Sequence, residues 1–359
     1  MNVDRADEYI SRGPCILDSS NPFVPLVFKN LRVIEDPVDF ENDLDDPRKL
    51  ISRDRLVIKG EHGRISRRFP RIFVDVDLSD KQVLNKTVAD NFEMAKSLFP
   101  RQSDIAERLL QVSKEETVVL VVIDGLSYHD ARRVFACEPM IVDGATITQD
   151  GIQRIVGNPT IAQRMYQRGT RNLYGFSYWS REEEPDITGK SFSPIPEENF
   201  LRYESFDQVI EKLKEIDPPQ SYIQIFVAGL DEICHRHRDS PPPLDSLLKQ
   251  IGKKVSAVQK VLERKKTRGM IFATSDHGIL WKEGNDLKIL DDPQFKEGVR
   301  YCTGKIIRDT AIASPDGKSS VTCLKYPYIS KAIKRNEWGV HGGISYEESI
   351  VPWISLVVD

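Results

Sequence analysis

Hydrophobic positions along the chain follow two rhythms, short unbroken apolar runs and longer stretches with apolar residues three and four apart. The stretch Thr117 to Asp130, TVVLVVIDGLSYHD, shows the first: it is apolar and β-branched from Val118 to Ile123 and stops at Asp124-Gly125. Such a run, closed by an acid and a glycine, predicts a strand buried on both faces of a parallel sheet. Tyr222–Ala228 and Gly269–Thr274 repeat the pattern and lead into Gly229-Leu230-Asp231 and Ser275-Asp276-His277-Gly278, and a last strand is predicted over Trp353–Val358. The second rhythm predicts helices over Lys81–Leu98, Gln102–Val112, Ser127–Phe135, Ile161–Gln167, Phe206–Ile216 and Leu244–Lys265. In the last of these Leu248, Ile251, Val255, Val258 and Leu262 share one face. Strands alternating with helices predict an α/β fold, a mostly parallel central sheet flanked by helices on both faces.

Other stretches are less regular. Residues 1 to about 66 are rich in Asp, Pro and Arg and read as an irregular N-terminal extension with short strands at Pro25–Phe28 and Arg55–Lys59. A further strand is expected over Arg71–Leu78 and an extended segment over Met140–Thr148. The expected division is 1–116 as N-terminal extension and 117–359 as catalytic domain. Residues 174–200, aromatic and acidic, and 281–330, charged and strand-poor apart from Gly304–Ile307 and Ser320–Leu324, read as insertions or lids.

Composition narrows the function classes modestly. With 51 basic and 55 acidic side chains in 359 residues the net charge is −4, so any nucleic-acid contact must come from a local patch. No apolar stretch has the length of a membrane span and the N-terminus lacks a signal-peptide pattern, which points to the cytoplasm. Cys15, Cys137, Cys234, Cys302 and Cys323 are scattered, with no C-x-x-C pair, as expected of reduced intracellular thiols.

The predicted strand ends carry the chemistry. In parallel sheets ligands sit at the carboxyl ends of the strands, and there this chain places Asp124, Asp231 with His235, and Asp276 with His277, while His341 stands in a glycine-rich turn. Each alone has an ordinary explanation, an acid capping the next helix or a hydrogen-bonded loop histidine. Together, carboxylates and imidazoles without cysteine form a donor set for borderline divalent ions such as zinc, and enough of one for two ions. Thr160, ahead of the helix Ile161–Gln167, is by itself an N-cap. The same position also exposes its hydroxyl at an anion-attracting helix start, which suits a nucleophile for phosphate. Arg154, Arg164, Arg168, Arg171, Arg236 and Arg238 are candidate phosphate contacts or solvated charges. His237 and Tyr128 are candidate substrate contacts or a surface and a packing residue, and His62 reads as a loop histidine.

In chain order, strand-Asp124, Thr160 at a helix start, Asp231-x-x-x-His235, Ser275-Asp276-His277-Gly278 and the H-G-G-x-S-x-E-E-x-x-V-P of His341 to Pro352 resemble the alkaline phosphatase superfamily. Within it, VVIDGLSYHDAR resembles the PglZ domain of BREX-type phage-defence systems and some response regulators. The motifs span 117–358. The resemblance implies one zinc ion on Asp124, Thr160, Asp276 and His277 and a second on Asp231, His235 and His341, with manganese or magnesium as alternatives. It also implies Thr160 as a nucleophile forming a phospho-enzyme. A threonine in place of serine favours diesters, so the implied function is a phosphodiesterase or nuclease acting on nucleic acid, oligonucleotides or a nucleotide signal, with defence-system proteins as partners. A phosphomonoesterase or phosphomutase of the same superfamily, and a catalytically silent interaction module of a defence complex, are the competing readings.

Overall fold

The apolar run at Val118 forms the middle of a seven-stranded sheet. The computed structural model describes residues 78–178, 190–235, 239–290, 294–295 and 298–358, with short elements between residues 16 and 75. The sheet comprises β1 (Thr117–Ile123), β2 (Glu138–Ile141), β3 (Asn172–Tyr178), β4 (Phe200–Tyr203), β5 (Ser221–Val227), β6 (Gly269–Ser275) and β7 (Ile350–Val358), in the spatial order β2–β7–β6–β1–β5–β3–β4. From β6 to β4 the strands are parallel, and β7 runs antiparallel to both β6 and β2. The fold is α/β, as the sequence pattern predicts.

All side chains of β1 are buried because both faces are covered. Val119, Val121 and Ile123 face one layer, where helices α4 (Phe206–Glu215) and α6 (Leu244–Arg264) supply Val209, Leu213, Leu248, Ile251, Val255 and Val258. Val118, Leu120 and Val122 face the other, where helices α2 (Thr148–Val156) and α3 (Ile161–Gln167) supply Ile152, Ile155, Ile161 and Met165. Each such aliphatic side chain contributes about 1.5–3 kcal/mol by leaving water, which holds the strand ends firmly in place. Ser275 of β6 pairs with Ile123 of β1, which pairs with Val227 of β5, so three neighbouring strands stop level with one another.

Several local expectations are corrected. Residues 172–178 form β3, an interior strand of the sheet, where the sequence suggested the start of a loop. Its alternation is masked by Gly175, which is needed because a Cβ there would lie 2.4 Å from the Phe192 ring. The extended segment expected over Met140–Thr148 is strand only to Ile141, and Thr148 instead opens α2. Gly304–Ile307 is a loop with Ile307 95% exposed; strands there are Tyr301–Thr303, Ala311–Ala313 and Val321–Leu324, an antiparallel trio. Lys81–Leu98 is two helices, Lys81–Asp90 and Phe92–Leu98, broken at Asn91, whose N–H and side-chain amide both donate to the Thr87 carbonyl.

The chain divides into two compact units, residues 1–94 and 95–359. In the first, Arg32–Ile34, Leu56–Ile58, Ile16–Asp18 and Phe73–Asp75 lie side by side in that order as a parallel sheet. Val24–Val27 is a helical turn, not the strand expected over Pro25–Phe28. Pro25 sits in its first turn, where a missing N–H costs nothing. Among the described residues no helix is long and apolar enough to cross a membrane.

Candidate metal centre

The level strand ends deliver the acids to one place. Asp124 follows β1 directly, and its amide donates to the Val227 carbonyl (3.1 Å) while its carbonyl accepts from Leu230 (2.8 Å). Gly229 permits that approach: a Cβ on it would fall 1.9 Å from the Asp124 carbonyl oxygen. Two residues later helix α5 (Asp231–His235) begins, with Asp231 in its first turn and His235 one turn on. Asp276 follows β6. Its Oδ1 accepts from the amides of His277 (3.0 Å) and Gly125 (3.2 Å), which leaves Oδ2 buried and without a hydrogen-bond donor.

Six side chains gather into two groups, Asp124, Asp276 and His277 in one and Asp231, His235 and His341 in the other, each with ligand atoms within 4.8 Å of one another. In the first, His277 Nε2 is 3.7 Å from Asp124 Oδ1 and 3.5 Å from Asp276 Oδ2. In the second, Asp231 Oδ1 is 3.4 Å from His235 Nε2 and 3.3 Å from His341 Nε2. The rings of His277 and His341 stack at 4.2 Å and 12°, so the groups are neighbours.

The donor set fits divalent cations. His277 Nδ1 lies 3.1 Å from the Gly278 carbonyl and His341 Nδ1 3.0 Å from the Thr146 carbonyl, contacts a ring nitrogen makes only as N–H donor. In the neutral ring each Nε2 is then the atom with the lone pair, on the side of the carboxylates, the arrangement of a metal-binding histidine fixed by a backbone carbonyl. Oδ2 of Asp276, buried without a donor, is a costly arrangement unless a cation faces it. Burial alone would raise the Asp231 carboxyl, but His341, with His235 and His277, outweighs it and holds the group well below the usual carboxylate range. Burial lowers the His341 ring against the opposing pull of Asp231, which favours the neutral, ligand-competent form.

The hydrogen bonds of the Thr160 hydroxyl go to neither group. Thr160 is the N-cap of α3, its hydroxyl accepting from the Gln163 amide (3.1 Å) and donating to the Ser193 carbonyl. The threonine at the site is Thr148, whose Oγ1 lies 3.0 Å from His277 Nε2. Helix α2 runs on from Thr148 for nine residues, about 13 Å of rise, before the turn that leads to Thr160. The flanking turn also serves the other group: Thr146 accepts from the Gly342 amide (3.0 Å) and donates to the Gly343 carbonyl (2.7 Å) beside His341. A signal for α2 exists in the sequence, Ile152, Ile155 and Val156 at helical spacing, interrupted by Gly151. That glycine is required because a Cβ would sit 2.4 Å from the Asp276 carbonyl oxygen. Gly151→Ala gains about 1 kcal/mol of helix propensity, but the clash with backbone outweighs it. A net loss of about 1–3 kcal/mol is expected in urea denaturation, and an unchanged midpoint would show that α2 does not abut Asp276.

The arginines considered as phosphate contacts are mostly engaged elsewhere. Arg154 is half-buried, donating to Gln102 Oε1 (3.0 Å) and to the Ala145 carbonyl, while Gln102 Nε2 donates to the carbonyls of Ser275 and Asp276 (2.8 Å each). Arg168 holds the carbonyls of Leu110 and Val112, and Arg164 pairs with Glu107 at 2.7 Å. Arg171 is exposed. Tyr128 is buried with its hydroxyl titration raised, by burial first and then Cys137, against the pull of Arg132. His62, Arg236, His237 and Arg238 lie outside the described residues. Cys137, Cys234 and Cys323 are free thiols.

No protein-family model matches the sequence, and no curated protein does. Solved structures with some likeness of fold include murine ectonucleotide pyrophosphatase/phosphodiesterase 5, at 14% identity and a TM-score of 0.43 over 66% of this chain and 87% of that one. Phosphonoacetate hydrolase from Sinorhizobium meliloti 1021 in complex with phosphonoformate aligns at 13% identity and a TM-score of 0.44 over 67% and 90%. The C-terminal periplasmic domain of EptC from Escherichia coli aligns at 12% identity and a TM-score of 0.37 over 69% and 74%.

Proposed function

We propose that this chain is a two-metal phosphoric ester hydrolase that prefers diesters and uses Thr148 as its nucleophile. The observation that carries the reading is the Thr148 hydroxyl, 3.0 Å from His277 Nε2 and at the start of α2, beside two adjoining carboxylate–imidazole groups. Divalent ions, zinc first, held by Asp124, Asp276 and His277 and by Asp231, His235 and His341, would supply Lewis acidity toward the phosphoryl oxygens. Ile147 offers α2 no side-chain cap, so the first amides of the helix are available to an anion at Thr148. Thr148 Oγ1 would attack phosphorus as the ester oxygen leaves with a proton. Water would then hydrolyse the phosphothreonine and restore the hydroxyl.

A diester carries one negative charge where a terminal phosphate carries up to two. Arg154, Arg164 and Arg168 are held by other groups, so none of them is available to balance the second charge. The motif resemblance to alkaline phosphatases and PglZ domains makes nucleic acid the first natural diester to try. Protein loaded with zinc or manganese should hydrolyse bis(p-nitrophenyl) phosphate with kcat/KM at least about tenfold above that for p-nitrophenyl phosphate, a barrier difference near 1.4 kcal/mol. The reverse preference would overturn the diester assignment, and failure to turn over either ester or single-stranded DNA with two ions bound would overturn the enzyme reading.

A further inference from the structure

Arg300 and Glu348 have no solvent exposure. Arg300 Nε donates to Glu348 Oε1 at 3.0 Å, and a second guanidinium nitrogen donates to Oε2 in the parallel, bidentate manner. The remaining valences are filled by backbone: the guanidinium also meets the carbonyls of Tyr328, Lys325 and Ile344, the last two at 3.4 Å. Glu348 in turn accepts from the Gly343 amide (2.9 Å) and the Ser345 hydroxyl (2.7 Å). Burying two charges costs more than their attraction returns unless every lone pair is used, and here nearly every one is used. Stability alone is a poor explanation, since apolar residues of the same volume often do as well.

The pair meets the chain at Gly343, two residues from His341. Gly343 is pressed against the guanidinium, where a Cβ would come within 2.5 Å of it, and the Gly343 amide is fixed by Glu348. On the other side Thr146 fixes Gly342 and Gly343 with its hydroxyl and the His341 ring with its carbonyl. The His341 backbone is thus held between the Arg300–Glu348 pair and Thr146. Asp124 and Asp276 follow β1 and β6, and the segment after His277 meets Glu348 through backbone, the Gly278 amide donating to the Glu348 carbonyl (2.9 Å).

We infer that Arg300 and Glu348 are positioning residues that set the metal affinity of the Asp231–His235–His341 group and leave the Asp124–Asp276–His277 group unaffected. This rests on the two-metal reading. Outer contacts that orient a ligating histidine are worth on the order of 10- to 100-fold in metal affinity. The test is equilibrium dialysis of the full chain against zinc, with cobalt(II) visible absorption as a second readout. Wild type should bind two ions. Glu348→Gln should keep one at wild-type affinity and weaken the other about 10- to 100-fold, with a changed absorption envelope for that ion alone. In a His341→Ala background the same substitution should add no further loss. Where Glu348→Gln does not fold, Thr146→Val keeps the volume and the buried pair, removes the hydroxyl, and should give the same selective weakening. Equal weakening of both ions, or no weakening, overturns the inference while the two-metal reading stands. Fewer than two ions on wild type overturns both.

Discussion

Thr148→Ala is expected to lower kcat for a phosphodiester by about 10³-fold or more, the scale on which removal of a covalent nucleophile acts, while both metal ions stay bound. The carboxylates and imidazoles do not depend on the hydroxyl: Asp276 is fixed through Oδ1 by two backbone amides, and His277 through Nδ1 by a carbonyl. Thr148→Ser should retain part of the rate, because only a methyl group is lost. The contrast is Thr160→Ala, which removes a helix cap and a contact to Ser193 and should cost about 1 kcal/mol of stability with kcat within a factor of about two. Metal content, thermal midpoint and initial rates on the three variants decide the matter. An inactive Thr160→Ala beside an active Thr148→Ala would return the nucleophile to Thr160.

Removal of metal is the second large effect. A chelator should abolish hydrolysis and lower the thermal midpoint together. Asp124, Asp276 and His277 are all buried, so the stripped protein keeps two carboxylates close together in a site that little water reaches. An ion bound only by the folded chain, at a thousandfold excess over its dissociation constant, adds about 4 kcal/mol. At roughly 2–4 °C per kcal/mol for a unit of this size, the midpoint should rise by roughly 8–16 °C on loading. Zinc and manganese should both produce the rise, with the order of final midpoints following affinity. A midpoint indifferent to chelator and to both ions would sink the metal centre and the hydrolase reading with it. Asp276→Asn is the matched control: it removes the charge of one ligand at constant volume, and the ion-dependent rise should shrink.

Much of the architecture was legible because burial on both faces leaves a simple trace. β1, β5 and β6 are continuous apolar runs ended by an acid or by a glycine leading to one, and the acids so marked are the ones the structure gathers. The helix carrying Thr148 was not legible. Gly151 interrupts its periodicity, and that glycine answers to the Asp276 carbonyl, a neighbour 125 residues away that no local pattern reports. With α2 read as extended chain and turn, Thr160 became the first threonine at a recognisable helix start. β3 was hidden for a similar reason, since Gly175 makes room for Phe192. Ile306-Ile307 looked like strand, yet Ile307 is 95% exposed, so apolar character alone misled. Arg300 and Glu348 lie 48 positions apart, and nothing in either neighbourhood announces the other.

The pairing of Ser275 with Ile123 and of Ile123 with Val227 has a consequence for folding fidelity. A slip of one residue between β1 and either neighbour would move Asp124 by about 3.3 Å along the strand and turn its side chain to the opposite face of the sheet. Parallel strands of uniform Val and Ile offer little intrinsic protection against such a slip, because the apolar pattern reads almost the same in the shifted frame. A divalent ion held as proposed would distinguish the frames, since only one of them brings the carboxylates that follow β1 and β6 together. Ions present during synthesis would thus act as proofreaders of strand alignment, and misaligned chains would be recognisable as the fraction that folds compactly yet never takes up metal.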